Sequence, residues 1–277
     1  MKSRLFPVVI LSLIMSTLLS CAMVDRALNR EPAMPQDQVV ATEPTEEFGQ
    51  VEVTPTEGPR RLELAPTPTA FVVSEDDPRA ILDLEHPDHV DYFDNPDTWY
   101  DYDMDGRAAY LIEDGRLIGT DYMPEETEIW WTYTDRDSGN VYAEVSATNG
   151  DCIGRDSLGM GIRIDRATAL GGYSLEVSCD GEFRFLEHSI DGNKADLIEW
   201  TASDVVQTGA GATNRLGVWG YQGRFHLFIN GVEVSEVSDK NYSHTYGTFA
   251  LFTRASQTYD LTGTFDDFAY WNIKFIP

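Results

Sequence analysis

Residues 223–237, GRFHLFINGVEVSEV, constrain the fold more than any other stretch of the chain. Successive side chains of a strand point to opposite faces, so Phe225, Leu227 and Ile229 share one side. Asn230-Gly231 then interrupts the run. That dipeptide suits a two-residue type I′ turn, in which both positions need φ > 0. Val232 and Val234 start the return strand, and the whole predicts a β-hairpin. The same period of two recurs elsewhere. Val141, Ala143 and Val145 alternate with Tyr142, Glu144 and Ser146. Met160, Ile162 and Ile164 share a side. Tyr173, Leu175, Val177 and Cys179 lie opposite Ser174, Glu176 and Ser178. Short alternating runs separated by Gly, Asp and Asn are the strand pattern, and no long amphipathic helix competes. The expected fold is all-β: an antiparallel two-sheet sandwich.

The N-terminus reads differently. Lys2 and Arg4 precede an apolar run from Leu5 to Leu19, the charge-then-apolar pattern of an export signal. At about fifteen residues the run is short for a membrane span, which needs roughly 20. It ends in Leu18-Leu19-Ser20-Cys21, which resembles the bacterial lipobox. That resemblance implies cleavage before Cys21 and diacylation of its thiol. The partner it implies is a membrane, held through a lipid on Cys21. The expected location is an exported, membrane-anchored lipoprotein at the cell surface or in the periplasm. Residues 1–20 are then signal peptide. Residues 21–75 are poor in aromatics, rich in Pro, Thr and Glu, and without strand or helix period. Such a segment cannot bury enough apolar surface to offset its ordering entropy, and reads as a disordered linker. The aromatic-rich domain spans 76–277.

Three cysteines are an awkward number for an exported chain. If Cys21 carries lipid, Cys152 and Cys179 remain, and one pair in an oxidising compartment suggests a single disulfide. It would close a loop of roughly 27 residues and add on the order of 3 kcal/mol in the loop-entropy description. Two separate thiols are the alternative. With 20 Lys and Arg against 47 Asp and Glu, the net charge is −27. No basic patch suited to a polyanionic backbone is evident, so nucleic acid is not an expected partner.

Longer stretches carry a resemblance. "DYFDNPDTWY" looks like a leading strand, and "YSLEVSCDGEFRFLE" like two strands around an Asp-Gly turn. "LIEWTASDVVQTGAGATNRLGVWGYQGRFHLFINGVEV" looks like a Trp…Asn-x-Leu-x-Val…Gly…Asn-Gly run. "GTFALFT" and "GTFDDFAYWNI" look like closing strands. Over about residues 90–277 the chain resembles the concanavalin A-like lectin/glucanase superfamily. It is especially similar to laminin-G-like domains and to the sandwich of the 3-keto-disaccharide hydrolase family. The resemblance implies a jelly-roll fold and leaves function open, because one fold hosts many activities. Glucanases of the superfamily place their carboxylates on one strand as Glu-x-Asp-x-x-Glu or a one-shorter variant, and no such string occurs here. The expected role is therefore non-catalytic binding of a glycan or other surface ligand. The alternatives are a glycoside hydrolase-like or 3-keto-disaccharide hydrolase-like enzyme, and a structural or protein-binding laminin-G-like module.

Candidate site residues follow from strand parity. With Leu216 and Val218 inward, Trp219 and Tyr221 point the other way. With Phe225, Leu227 and Ile229 inward, so do His226 and Phe228. These four could share an outer face on which sugar rings stack, or pack beneath a loop or the second sheet. Trp130 and Trp131, as neighbours on a strand, are expected on opposite faces. Asp101, Asp103 and Asp105, followed by Gly106, repeat the first half of an oxygen-ligand calcium loop. Ile112 stands at the twelfth position where such a loop has Glu, so a simpler calcium loop and a solvated acidic turn both stay open. Asp266-Asp267 is a second acidic pair. Calcium is the one cofactor the sequence suggests. None of the five histidines has a spacing partner diagnostic of zinc.

Overall fold

The computed structural model describes residues 74–124 and 129–274. Cys21, the signal residues and almost all of the linker lie outside these. The described chain is a sandwich of two antiparallel sheets. Its strands are β1 (His89–Asp91), β2 (Tyr102–Met104), β3 (Ala108–Glu113), β4 (Arg116–Asp121), β5 (Trp131–Ser138), β6 (Val141–Asn149), β7 (Ser157–Ile164), β8 (Gly172–Ser178), β9 (Glu182–His188), β10 (Lys194–Ala202), β11 (Thr213–Tyr221), β12 (Arg224–Ile229), β13 (Val232–Ser238), β14 (Gly247–Arg254) and β15 (Leu261–Asn272). The larger sheet has the order β13-β12-β11-β6-β15-β4-β3-β2, with β1 also on β15. The smaller has the order β10-β9-β8-β7-β14-β5.

The expected hairpin is β12–β13. Asn230 and Gly231 both have positive φ, 53° and 80°, as a type I′ turn requires. The alternation places the core as the pattern predicted. Val145, Leu216, Val218, Phe225 and Leu227 of the larger sheet meet Met160, Tyr173, Leu175, Phe185 and Leu251 of the smaller, all fully buried. Interdigitation of the two inner faces is what holds such a sandwich together.

One strand breaks its own period. In β15, Phe265 faces the core, yet so does Phe268, three residues on. The register with β6 slips between Asp266 and Ala269, and Asp267 takes a φ of 51°. This is a β-bulge, in which one extra residue resets the phase. After it, Ala269 and Trp271 face outward instead of inward. The acidic pair Asp266-Asp267 thus serves as a bulge. The Asp267 amide donates to the Asp266 carboxylate at 2.8 Å, and its carbonyl accepts from Arg215 at 2.7 Å.

The disulfide joins Cys152 to Cys179. Cys179 follows β8 directly, Cys152 precedes β7, and those strands pair antiparallel, as the sequence led us to expect. Asp156 fastens the same corner. It is 1% exposed, and its carboxylate accepts from the amides of Ile153, Ser256 and Gln257 at 2.8–2.9 Å.

Candidate functional site

Each sheet has an outward face, and the two faces differ. On the larger sheet, Trp219, Tyr221, His226 and Phe228 do share one face, but it is covered. Trp219, His226 and Phe228 are 3%, 5% and 1% exposed. They pack in a second apolar cluster with Tyr142 and Trp271, beneath Leu82, Leu84 and Val90. Arg79 stacks 3.8 Å above the Phe228 ring, and its guanidinium donates to the Gly231 carbonyl. The Trp271 indole donates to the Asp83 carbonyl at 2.8 Å. The expectation of an exposed stacking face is corrected here: the segment before β1 folds over it, because an uncovered sheet of this many aromatics would leave a large apolar surface in water.

The acidic stretch lies in the open, as a solvated turn would. Asp101, Asp103 and Asp105 are all exposed around β2. Among the described residues, the group whose ligand atoms all lie within 4.8 Å of one another is His226, Glu233 and Glu236, not these three. That group is internally paired. The His226 Nδ1 lies 2.7 Å from Glu233, and Arg224 donates to Glu236 at 2.7 Å. The salt bridge holds the Glu236 carboxyl below its usual range.

The outward face of the smaller sheet is open and holds a cavity of about 880 Å³, within the range of small-molecule sites. Its base is one ladder row. Arg184 faces Glu176 across β9–β8, Glu176 faces Gly159 across β8–β7, and Gly159 faces Phe252 across β7–β14. Phe252 in turn faces Trp131 across β14–β5. Residue 159 must be glycine, because a Cβ there would lie 2.1 Å from the Phe252 ring. Trp131 is 8% exposed. It meets the His188 ring edge-on at 5.1 Å, and its indole donates to the Ala169 carbonyl at 2.6 Å. The loop that presents Ala169 is set by Asp165, whose carboxylate accepts from the Thr168 amide at 2.8 Å. Trp130 lines the same cavity. The expectation that Trp130 and Trp131 lie on opposite faces fails because β5 begins only at Trp131, so strand parity does not apply to Trp130.

An aromatic wall rises on one side. Tyr100 and Tyr133 stack with ring centroids 5.1 Å apart and an interplanar angle of 12°. Tyr102 tilts against Tyr100 at 5.5 Å. Backbone bonds hold the wall: the Tyr100 amide donates to the Tyr133 carbonyl, and Thr132 Oγ1 donates to the Tyr100 carbonyl. Tyr100 remains 52% exposed. Opposite, Gly192, Asn193 and Lys194 contribute from the β9–β10 hairpin.

Beneath the cavity lies a charge cluster. Glu176 is fully buried. Arg184 Nη2 donates to both its oxygens, at 2.8 and 3.0 Å. Ser157 Oγ donates at 3.2 Å, and Arg254 Nη1 at 3.4 Å. Burial alone would raise the Glu176 pKa, but Arg254 and Arg184 together outweigh it and hold the carboxyl below its ordinary value. His188 shows the reverse balance. Burial pushes its pKa down from 6.5 to about 4, so the ring is neutral at pH 7 and shares a 2.7 Å hydrogen bond between Nε2 and Ser174 Oγ.

A pH prediction follows from His188. The unfolded chain takes up the proton near pH 6.5, the folded chain only near pH 4. Stability from the neutral ring is therefore whole above about pH 6.5 and is lost progressively as pH falls toward 4. Urea unfolding at pH 7, 5.5 and 4.5 should show this decline. His188→Gln should flatten the part of it above pH 5, and an unchanged slope in that variant would refute the assignment.

The alternation already placed Ser174, Glu176 and Ser178 on the face opposite the core. It gave no sign that Arg184 and Arg254 would meet on that face. Cross-strand register brings them together, since β14 lies beside β7 only in the folded sheet.

No protein-family profile matches the chain, and no curated protein sequence does. Among solved structures, a carbohydrate-binding module from Bacillus subtilis, CBM66, superposes with a TM-score of 0.50. The identity is 14%, over 64% of this chain and 98% of that one. A Bacillus subtilis protein of galectin-like fold gives 0.49 at 13% identity, over 67% of this chain and 96% of that one. A Bacillus licheniformis β-glucanase gives 0.49 at 10%, over 67% and 98%. At such identities the likeness is one of fold. The two-sheet topology is that of a jelly-roll sandwich, and in fold the described domain is similar to that carbohydrate-binding module.

Proposed function

We propose that the domain binds a saccharide, without hydrolysing it, in the cavity on the outward face of its smaller sheet. The observation that supports this reading is the stack of exposed Tyr100 on half-buried Tyr133 beside a floor of Trp131 and His188, with the polar groups of Asn193 and two arginines lining the same cavity. Flat rings give rigid contact area to the apolar face of a pyranose, and the polar groups fix its orientation. The solved structure of like fold from Bacillus subtilis is, by its name, a carbohydrate-binding module.

Support for binding over hydrolysis comes from the carboxylates. Glycoside hydrolysis needs a protonated carboxylic acid and a second carboxylate flanking the scissile bond. Among the described residues that line the cavity there is no Asp or Glu. Glu176 lies beneath the lining, ionised and held by Arg184 and Arg254.

The test is titration of the full-length chain with a panel of neutral and acidic oligosaccharides. Tyr100→Ala and Tyr133→Ala are each expected to weaken binding by about tenfold, the effect of truncating a well-packed aromatic contact. Unchanged affinity in both variants would remove the cavity as the site. Absence of any saccharide binding would turn attention to a protein partner.

A further inference from the structure

We infer that the cavity selects saccharides bearing an anionic substituent, a carboxylate or a sulfate ester, seated on the guanidinium of Arg254. The inference rests on the saccharide reading above and names the chemical class within it.

The two guanidiniums beneath the cavity are unequally served. Both share the Glu176 carboxylate, and Arg184 has Asp196 as well, at 4.0 Å. Arg184 takes the better share, with two contacts of 2.8 and 3.0 Å through Nη2. Its plane also lies 4.6 Å over the Trp200 ring, which fixes it in place. Arg254 is left with a single contact of 3.4 Å through Nη1. Good charge-assisted bonds between N and O fall near 2.7–2.9 Å. The Nε atoms of both arginines are buried with no acceptor among the described residues, so what sets Arg254 apart is its single long contact, on a side chain only 18% exposed.

A guanidinium so withdrawn from water and so weakly paired is costly unless a further acceptor completes it. Its fork of donors matches the two oxygens of a carboxylate or sulfate. Composition does not account for the excess of positive charge here. The chain has 20 Lys and Arg against 47 Asp and Glu, yet two arginines and no described carboxylate border this cavity. The strongly negative remainder of the molecule disfavours a long polyanion lying across the surface. Among the described lining residues, a single anionic group entering the pocket meets Arg184, Lys194 and Arg254 and no carboxylate.

The experiment compares matched probe pairs on the full-length chain by calorimetric titration. One pair is oligogalacturonate and its methyl ester. The other is a sulfated galactan oligosaccharide and its desulfated form. In the native chain, the anionic member of at least one pair should bind about tenfold tighter than its neutral partner, as expected for a charged hydrogen-bond pair gained on binding. The pair that shows the ratio identifies carboxylate or sulfate. Arg254→Gln should reduce that ratio to about twofold or less, by weakening the anionic member more than the neutral one. This variant leaves Glu176 and Arg184 as a balanced pair. Arg254→Lys, which keeps the charge and loses the fork, should give an intermediate ratio and serves if the glutamine variant does not fold. Equal affinity for both members of both pairs, or a ratio that survives in both variants, overturns the inference and leaves the saccharide reading standing. If no probe binds, charged or neutral, the saccharide reading itself falls and this inference with it.

Discussion

Glu176→Ala is expected to lower the stability of the domain by about 3–5 kcal/mol, the usual result of removing one member of a buried charge cluster. The carboxylate is fully buried, and its loss leaves Arg184 and Arg254 facing each other with side chains only 12% and 18% exposed. Like charges at that range repel, and little water reaches them. Glu176→Gln should cost nearly as much, since it keeps the shape and removes the charge. A variant that replaces all three residues by apolar ones, Glu176→Leu with Arg184→Met and Arg254→Met, should recover much of the loss, because no ion is then left unpaired. Urea unfolding of the three variants checks the account. If the triple variant were as unstable as the single one, packing and not charge would be the cause.

The same carboxylate predicts how acid acts on the protein. Its folded pKa lies below the unfolded value of 4.5, so the stability it contributes is present above that pH. It is lost as pH falls through the folded value. The loss from Glu176 begins near pH 4.5, at the acidic end of the window in which His188 titrates, and runs on below it.

Converting Cys152 and Cys179 together to serine is expected to cost about 3 kcal/mol. The bridge closes a separation of 27 residues, and the loop-entropy description gives roughly that figure. In a domain of this size such a loss lowers Tm by about 6–12 °C. The folded corner should persist without the bridge. Asp156 holds it through three backbone amides, and the Cys179 amide donates to the Asp156 carbonyl at 2.8 Å. The effect then lies mainly in the unfolded chain, which gains freedom and exposes more surface. A rise in the urea m-value should accompany the loss of stability. A loss of stability with an unchanged m-value would place the effect in the folded state instead.

These two expectations depend on the sequence in different ways. Cys152 and Cys179 are readable as a pair because an expected export signal and a lipobox-like Cys21 leave two of the three cysteines. Glu176 was readable only as a side chain turned away from the core. The hairpin at Asn230-Gly231 was legible because its signal is local: two residues needing positive φ between two alternating runs. The bulge at Asp267 was not. Its only trace is an alternation that changes phase between Phe265 and Phe268, and the slip becomes visible when β6 supplies the register.

The candidate site divides along the same line. Parity brings Trp219, Tyr221, His226 and Phe228 to one face but leaves open whether that face is bare or covered, because parity does not say what covers a face. Residues 79–90, distant in the chain, settle over it and bury it. The opposite sheet stays open and carries the Tyr100–Tyr133 wall and the Glu176 cluster, whose members come from β2's approach, β5, β8, β9 and β14. The hairpin, the alternating strands β6 to β8 with their inward faces, and the disulfide pair are legible in the sequence, because those follow from period, turn chemistry and counting. Only the tertiary structure decided which outward face is sealed, which is open, and which charges meet there. Those depend on strand order and on contacts between residues as far apart as Glu176 and Arg254, and no local pattern encodes them.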